Sequence, residues 1–248
     1  GILLTNTQHV SLSNMQLSGF DNFAIQGDIV TNFSLIDSVI GGNSGNNGTF
    51  DEGAISFTNL SGNVLFSGIN VSGGFENQIK IVNNTGVATI TVNDSANDQA
   101  VIGLDANPAG ANGNDGLLVE SQNSAQINLT VDGVDFLGAR GDMLQTNVLN
   151  NSSFTSLIQN NTFNNTHPNI VSGGGGITLS GGGAGANISK GYDVLNSVFS
   201  GADGNAVTVN FVSGAGTVSG QVSNNVIGNG GVPGSGSVNA SGILTGAS

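Results

Sequence analysis

The sequence predicts an all-β fold built as a solenoid of short stacked strands, and three observations carry that prediction. One pattern of apolar and turn-forming residues recurs about every 30 residues along the 248-residue chain. The 41 glycines gather with asparagine between short apolar runs instead of forming one linker. No stretch of useful length shows the 3.6-residue periodicity of an amphipathic helix.

The pattern is clearest in VSLSNMQLSG from Val10, VLFSGINVSG from Val64, LTVDGVDFLG from Leu129 and YDVLNSVFSG from Tyr192. A first apolar site holds Leu12, Leu35, Phe66, Val92, Val131, Ile158, Val194 and Val222. Two residues on, a turn site holds Asn14, Asp37, Gly68, Asp94, Gly133, Asn160, Asn196 and Asn224, residue types that tolerate a left-handed backbone. Three further on come Leu17, Ile40, Val71, Phe136, Phe163, Phe199 and Ile227, with Asn97 breaking the series. The turn sites are 23, 31, 26, 39, 27, 36 and 28 residues apart, a mean of 30. A second strand lies upstream in the unit, read as IKIV from Ile79, LLVE from Leu117, ITLS from Ile177 and VTVN from Val207. Such strands alternate with period two and are too short to bury a face alone, so stacking in parallel on their equivalents is the predicted solution.

The repeated h-x-h-x-N-x-x-F/I motif, seen as YDVLNSVF, LIQNNTF and QVSNNVI, resembles the right-handed parallel β-helix of the pectate-lyase-like superfamily. The resemblance covers the whole chain. It implies three strands and three turns per coil, an asparagine ladder at Asn14, Asn160, Asn196 and Asn224, and an interior place for Phe136, Phe163 and Phe199. The stretches NDGLLVE (114–120) and RGDMLQ (140–145) look like repeat regions of large bacterial secreted, adhesin-like surface proteins, a resemblance that brings no catalytic residues with it. The expected fold is a right-handed parallel β-helix of about eight coils, a single solenoid over residues 1–248. The chain opens with Gly1-Ile2-Leu3-Leu4-Thr5 and closes with Gly242-Ile243-Leu244-Thr245, the same point of the cycle, and no polar cap is legible at either end. An uncapped segment of a longer chain, or a unit that associates end to end, is the expectation.

Composition excludes several functions. Charged residues make up 8 % of the chain, against roughly 25 % in an ordinary soluble domain, while a hydrophobic fraction of 37 % and mean hydropathy of +0.10 are too high for a disordered acidic polymer. Sixteen acids face only Lys80, Arg140 and Lys190, and the net charge of −13 repels nucleic acid. No apolar run approaches the ~18 residues of a membrane helix, so membrane insertion is not expected, and no secretory signal pattern is present. The absence of cysteine removes disulfides and thiolate sites. Few basic residues and much Asn, Ser and Thr lean toward an extracellular or cell-surface setting.

Connections back to the first strand alternate in length. The long ones, 41–53, 98–115, 166–176 and 228–242, recur in every second unit and would form a ridge along one edge. Just ahead of the first strand lie Asp21, Asp51, Glu52, Glu76, Asp115, Asp142 and Asp203. Like charges a strand spacing apart repel, so these carboxylates either splay into water or hold a cation, for which calcium is the natural choice. No EF-hand loop or tandem G-G-x-G-x-D repeat accompanies them.

The best catalytic cluster is Asp132, Asp135, Arg140 and Asp142. A glycosidase needs two carboxylates about 5–10 Å apart, and lyases of the resembled superfamily generally need calcium with a basic residue. Asp132 and Asp135 flank Gly133 whereas Arg140 lies near the next corner, so the cluster is expected to straddle two corners. Arg140-Gly141-Asp142 also spells an integrin-ligand tripeptide, which a short turn explains as well. His9 and His167 read as surface residues in polar loops. The glycine runs 173–176 and 181–183 lack the lysine of a phosphate loop and read as corners. The N-x-S/T triplets, such as Asn59-Leu60-Ser61, follow from composition.

The expected function is that of a structural or adhesive module, a rigid stalk of a secreted bacterial surface protein. Its partners would be neighbouring coils, a second copy end to end, or a carbohydrate or host surface met through the loop ridge. The alternative is a polysaccharide lyase or glycoside hydrolase with a groove along the first sheet. The outward residues Ser56, Lys80, Thr178 and Thr208 favour the stalk.

Overall fold

A computed structural model describes residues 1–42, 44, 53–104, 115–182, 188–211 and 216–247. These residues are strands, turns and bends, with no helix among them. The strands begin with β1 (Ile2–Ser13), β2 (Gln16–Ser18), β3 (Ile25–Ile36), β4 (Val39–Gly41), β5 (Gly53–Ser67), β6 (Asn70–Val71) and β7 (Asn77–Asn83). They continue with β8 (Val87–Asn93), β9 (Val101–Ile102), β10 (Leu117–Ser121), β11 (Gln126–Asp132), β12 (Asp135–Phe136), β13 (Leu144–Leu149), β14 (Ser153–Gln159) and β15 (Thr162–Asn164). The last are β16 (Ile177–Gly182), β17 (Ile188–Leu195), β18 (Val198–Ser200), β19 (Val207–Phe211), β20 (Gly216–Ser223), β21 (Val226–Ile227) and β22 (Ile243–Ala247).

The ladders between these strands are parallel, and each strand pairs with its counterpart one round away in the chain. One run follows β1, β3, β5, β7, β10, β13, β16, β19 and β22. A second follows β5, β8, β11, β14, β17 and β20, joined to the first because β1, β3 and β5 are long enough to cross a corner unbroken. The third is a separate sheet in the order β2-β4-β6-β9-β12-β15-β18-β21. The protein is therefore all-β and solenoid-like, with parallel sheets curled around one apolar column.

The predicted columns are the columns of that interior. Leu12, Leu35, Phe66, Val92, Val131, Ile158, Val194 and Val222 are partners in one unbroken register. Phe136, Phe163 and Phe199 follow one another in the third sheet and are buried, as expected. Ile2 and Ile243 belong to the same column of the first run, through Ile25, Ile55, Ile79, Leu117, Leu144, Ile177 and Val207.

Asn97 is the exception with a structural cause. Its place in the third sheet is taken by Ile102, which pairs with Val71 and Phe136. Residues 95–99 are an insertion that bulges from the corner: Asn97 reaches back to donate to Asp37 Oδ2 at 2.8 Å, and Ala100 N–H donates to Asp94 Oδ1 at 2.7 Å. The bulge passes over Gly68, where a Cβ would lie 2.5 Å from Ser95 Oγ and 2.7 Å from Asp37 Oδ1. The other seven turn-site residues have φ between 46° and 78°, as their types foretold, and Asp94 alone is not left-handed.

The corner between the first two runs departs from expectation. In β1, β3 and β5 it is made by two left-handed residues inside a continuous strand: Asn6 and His9, Ile29 and Asn32, Asn59 and Gly62. His9 is thus a strand residue, not a loop residue. His167 is buried instead of exposed, with its Nδ1 accepting from Asn169 N–H at 3.1 Å. Gly181 and Gly182 lie in β16, not at a corner; a Cβ on Gly181 would sit 2.4 Å from Val148 O and 3.1 Å from the Phe211 ring. Burying the Phe211 ring excludes a side chain there.

Candidate functional site

The acidic residues ahead of the first strand do not form one column. Asp115 and Asp142 stand two residues before the inward Leu117 and Leu144, Glu76 three before Ile79, and Asp21 and Asp203 four before Ile25 and Val207. Asp51 and Glu52 lie outside the described residues. Loops of different length set these offsets, which run from two to four residues.

The carboxylates of Asp115, Asp142 and Asp203 serve as acceptors between rounds. Asp115 N–H donates to Asn77 Oδ1 at 3.1 Å, Asp142 N–H donates to Asp115 Oδ1 at 2.8 Å, and Gly175 N–H with the Thr178 hydroxyl donates to Asp142. Gly175 has no side chain to continue the chain of bonds, which resumes where Ser241 N–H meets Asn205 Oδ1 at 3.0 Å. Asp203 ties two long loops together, accepting from Gly173 N–H at 2.8 Å and from Asn239 Nδ2 at 2.6 Å. Repulsion is thereby offset by N–H donors, each worth more to an ionised acceptor than to a neutral one. Among the described residues no three His, Cys, Asp or Glu side chains come together as a metal-holding group. Thermal melting with and without EDTA is expected to give the same midpoint; a drop of several degrees on chelation would make calcium the counter-ion.

Asp142 is pushed up, to about 6, chiefly by burial, against the opposing pull of Thr178 and Gly175. Its folded pKa lies above the unfolded value of 3.8, so between those two the native state holds more protons and stability falls as pH rises from about 4 to about 6. The shift corresponds to about 3 kcal/mol at full strength, of which solvent screening at a half-buried carboxyl leaves ~1–2 kcal/mol. Asp142→Asn is expected to raise the melting temperature at pH 7.5 and to match the parent near pH 3.5. A variant that is less stable than the parent at pH 7.5 would contradict this.

The catalytic candidates occupy two separate places. Asp132 ends β11 and accepts from Gln159 Nε2 at 2.9 Å and Asn160 Nδ2 at 2.8 Å. Asp135, in β12, accepts from Gln99 Nε2 at 2.8 Å. Arg140 and Asp142 lie beyond β12 at the following corner, under the loop 166–176. There the Arg140 and Gly141 carbonyls accept from Val171 and Gly175 N–H at 2.8 and 2.7 Å. Gly141 is buried, so the Arg-Gly-Asp tripeptide is an inner turn and not a projecting ligand.

Two polar ladders were missed. At the corner after the second run, the residue following each turn site carries the bonds: Asn161 Oδ1 accepts from Val134 N–H at 2.8 Å, Asn161 N–H donates to Ser197 Oγ at 3.1 Å, and Ser197 N–H donates to Asn225 Oδ1 at 2.8 Å. The expected ladder through Asn14, Asn160, Asn196 and Asn224 is thus displaced by one residue, because those four supply the left-handed backbone while their neighbours point inward. An amide-to-amide ladder exists at the other corner, where Asn150 donates to Asn123 and Asn123 to Asn84, at 3.3 and 3.2 Å. The signal available was the asparagine doublets Asn83-Asn84 and Asn160-Asn161, of which only Asn160 was assigned a role.

The first sheet carries a surface hollow. Adjoining depressions of about 390 and 460 Å³ share Phe23 and Gln26 and run along the solenoid axis, from Leu3 and Phe20 to Ser56, Thr58 and Lys80. Leu3, Gln26, Ser56 and Lys80 form one outward register column.

Fold and site together define the class: an all-β, parallel, solenoid-like protein whose polar clusters brace its corners. Comparison of the chain with protein-family models, curated proteins and solved structures gives no match.

Proposed function

We propose that the chain is a right-handed parallel β-helix of eight coils, about 30 residues each, kin to the pectate-lyase-like superfamily, and that it serves as a rigid structural or adhesive module of a secreted or surface-anchored bacterial protein. The observation that carries this reading is the use of side-chain chemistry: Asp115, Asp132, Asp135, Asp142 and Asp203 all accept hydrogen bonds that hold one round or loop to another. Groups engaged in this way stiffen a rod. Eight coils at a strand spacing of about 4.8 Å give a rod of about 38 Å. Surface contact falls to the loop ridge, where Asp203 clamps loop 166–176 to loop 228–242. Neighbouring coils of a longer chain, or a second copy, extend the rod, and a carbohydrate or host surface is its partner.

The second reading, a carbohydrate-active enzyme, is favoured by the hollow on the first sheet, with Phe20 and Phe23 beside Gln26, Ser56 and Lys80. One experiment separates them. The protein is incubated with a panel of immobilised and soluble polysaccharides, and both retention and new reducing or unsaturated ends are measured. Retention without cleavage is expected. Cleavage that disappears in Asp132→Asn, Asp135→Asn or Lys80→Met would replace the stalk with the enzyme.

A further inference from the structure

The loop 228–242 holds an asparagine–glycine pair in an open turn. Val232 N–H donates to Asn229 O at 3.0 Å and Gly231 has φ 81°, so residues 229–232 form a type II turn with Gly230 at its second position. Such a turn leaves the N–H of its second residue unused. Among the described residues neither Gly230 N–H nor the Asn229 side-chain amide makes a hydrogen bond. Both residues are exposed, and a Cβ on Gly230 would meet nothing within 4 Å. The main chain of Asn229 is meanwhile held in place: its N–H donates to Ser235 Oγ at 2.7 Å, and the Ser235 hydroxyl donates to Val232 O at 2.8 Å.

This arrangement suits one reaction. The backbone nitrogen after an asparagine can attack the side-chain carbonyl carbon, Cγ. A C–N bond to the main chain forms, the bond from Cγ to the amide nitrogen breaks, and ammonia leaves with the proton of the attacking nitrogen, closing a succinimide ring. A side chain on the following residue crowds that approach, and a hydrogen-bonded N–H is withheld from it. Gly230 presents neither obstacle. The asparagine–serine pairs show the contrast. Ser124 N–H donates to Asn84 O at 3.2 Å, Ser152 N–H to Leu149 O at 3.3 Å and Ser197 N–H to Asn225 Oδ1 at 2.8 Å, so Asn123, Asn151 and Asn196 each precede a nitrogen already engaged. The asparagine–glycine pairs 47–48 and 112–113 lie outside the described residues.

We propose that Asn229 is a site of spontaneous covalent modification, where attack by Gly230 N forms a succinimide that water opens to isoaspartate or aspartate. Water adds at either ring carbonyl and breaks its bond to the Gly230 nitrogen: opening at Cγ leaves aspartate, and opening at the main-chain carbonyl leaves isoaspartate. Each product places a new carboxylate in the loop that Asp203 holds through Asn239 Nδ2 at 2.6 Å. In isoaspartate the main chain runs through the side chain and gains a methylene, and the carbonyl that accepts from Val232 becomes the free carboxylate. The turn at 229–232 is then remade, and the end of the loop ridge that it shapes is loosened.

Ageing the full chain for several weeks at 37 °C and pH 8 tests this, with peptide mapping by mass spectrometry to follow amide-to-acid conversion residue by residue and enzymatic methylation to mark isoaspartate. Asn229 is expected to convert at least tenfold faster than Asn123, Asn151 or Asn196, which wait on local opening of a hydrogen bond. Unfolding in urea is expected to change the Asn229 rate by less than about threefold, because its nitrogen is already open in the folded chain. Gly230→Ala, whose added methyl meets no neighbour, is expected to keep the parent's melting temperature and to slow conversion at Asn229 at least tenfold. Conversion at Asn229 no faster than at the three asparagine–serine sites, a rise of tenfold or more at Asn229 on unfolding, or undiminished conversion in Gly230→Ala would each overturn the proposal.

Discussion

Phe163→Ala is expected to lower the unfolding free energy by about 3–5 kcal/mol, the range for truncating a buried aromatic. Phe163 lies between Phe136 and Phe199, with ring centroids 4.6 and 4.8 Å away and planes tilted by 19° and 7°. Each ring belongs to a different strand of the third sheet, β12, β15 and β18, whose spacing is set by backbone hydrogen bonds. The gap left by alanine therefore cannot close by sliding one ring onto the next, and two aromatic contacts worth ~0.5–1.5 kcal/mol each are lost together. Because a solenoid couples mainly nearest neighbours, the damage is expected to stay local. Urea unfolding measures the total, and amide exchange locates it: protection should fall around Phe136, Phe163 and Phe199 and persist in β3 and β5. A loss below about 1 kcal/mol would mean that the stack contributes little beyond its own packing.

Asn161→Ala is expected to cost about 2–4 kcal/mol, although the residue is polar and lies at a turn, because two buried backbone groups lose their partners. Asn161 is 2 % exposed; its Oδ1 accepts from Val134 N–H at 2.8 Å and its Nδ2 donates to Val131 O at 3.0 Å. The two partners flank the preceding turn at Gly133, so the side chain holds one corner closed from the next. Asn225 repeats the geometry on Ser197 N–H and Val194 O, at 2.8 and 2.8 Å. Asn128→Ala provides the contrast. Asn128 is exposed and its side chain accepts from Thr155 Oγ1 at the surface, so its loss is expected to stay within about 0.5 kcal/mol. Equal costs for the two variants would sink the corner-bracing account.

The strand columns were legible because a parallel solenoid repeats its register: a residue that faces inward in one round has an inward partner in the next. Phe66, Val92 and Val131 could be aligned by type alone, and Asp37, Gly133 and Asn196 announced left-handed turns through their tolerance of positive φ. Legibility failed where a residue's role depends on a neighbouring round. Asn97 looked like a break in the pattern until the bulge at 95–99 was seen to reach Asp37, two turns away. Asn161 looked like half of a doublet, yet it and not Asn160 carries the buried ladder. Lys190 counted only toward net charge, and its interior place follows from the pairing of β17 with β14 and β20.

The same division holds for the acids that first suggested calcium. Their presence before the first strand could be read from the chain, as could the likelihood of mutual repulsion if they stacked. Their offsets and partners could not, because loop length sets where each carboxylate falls and a donor such as Gly173 N–H reaches Asp203 only across thirty residues of sequence. Local chemistry was therefore enough to establish strands, turns, apolar columns and charge, all of which depend on residue type and short-range spacing. Which asparagines brace the corners, which carboxylates are satisfied by backbone donors, and which lysine is drawn inside were matters for the folded chain, since each depends on what the adjacent round places within hydrogen-bonding or packing distance.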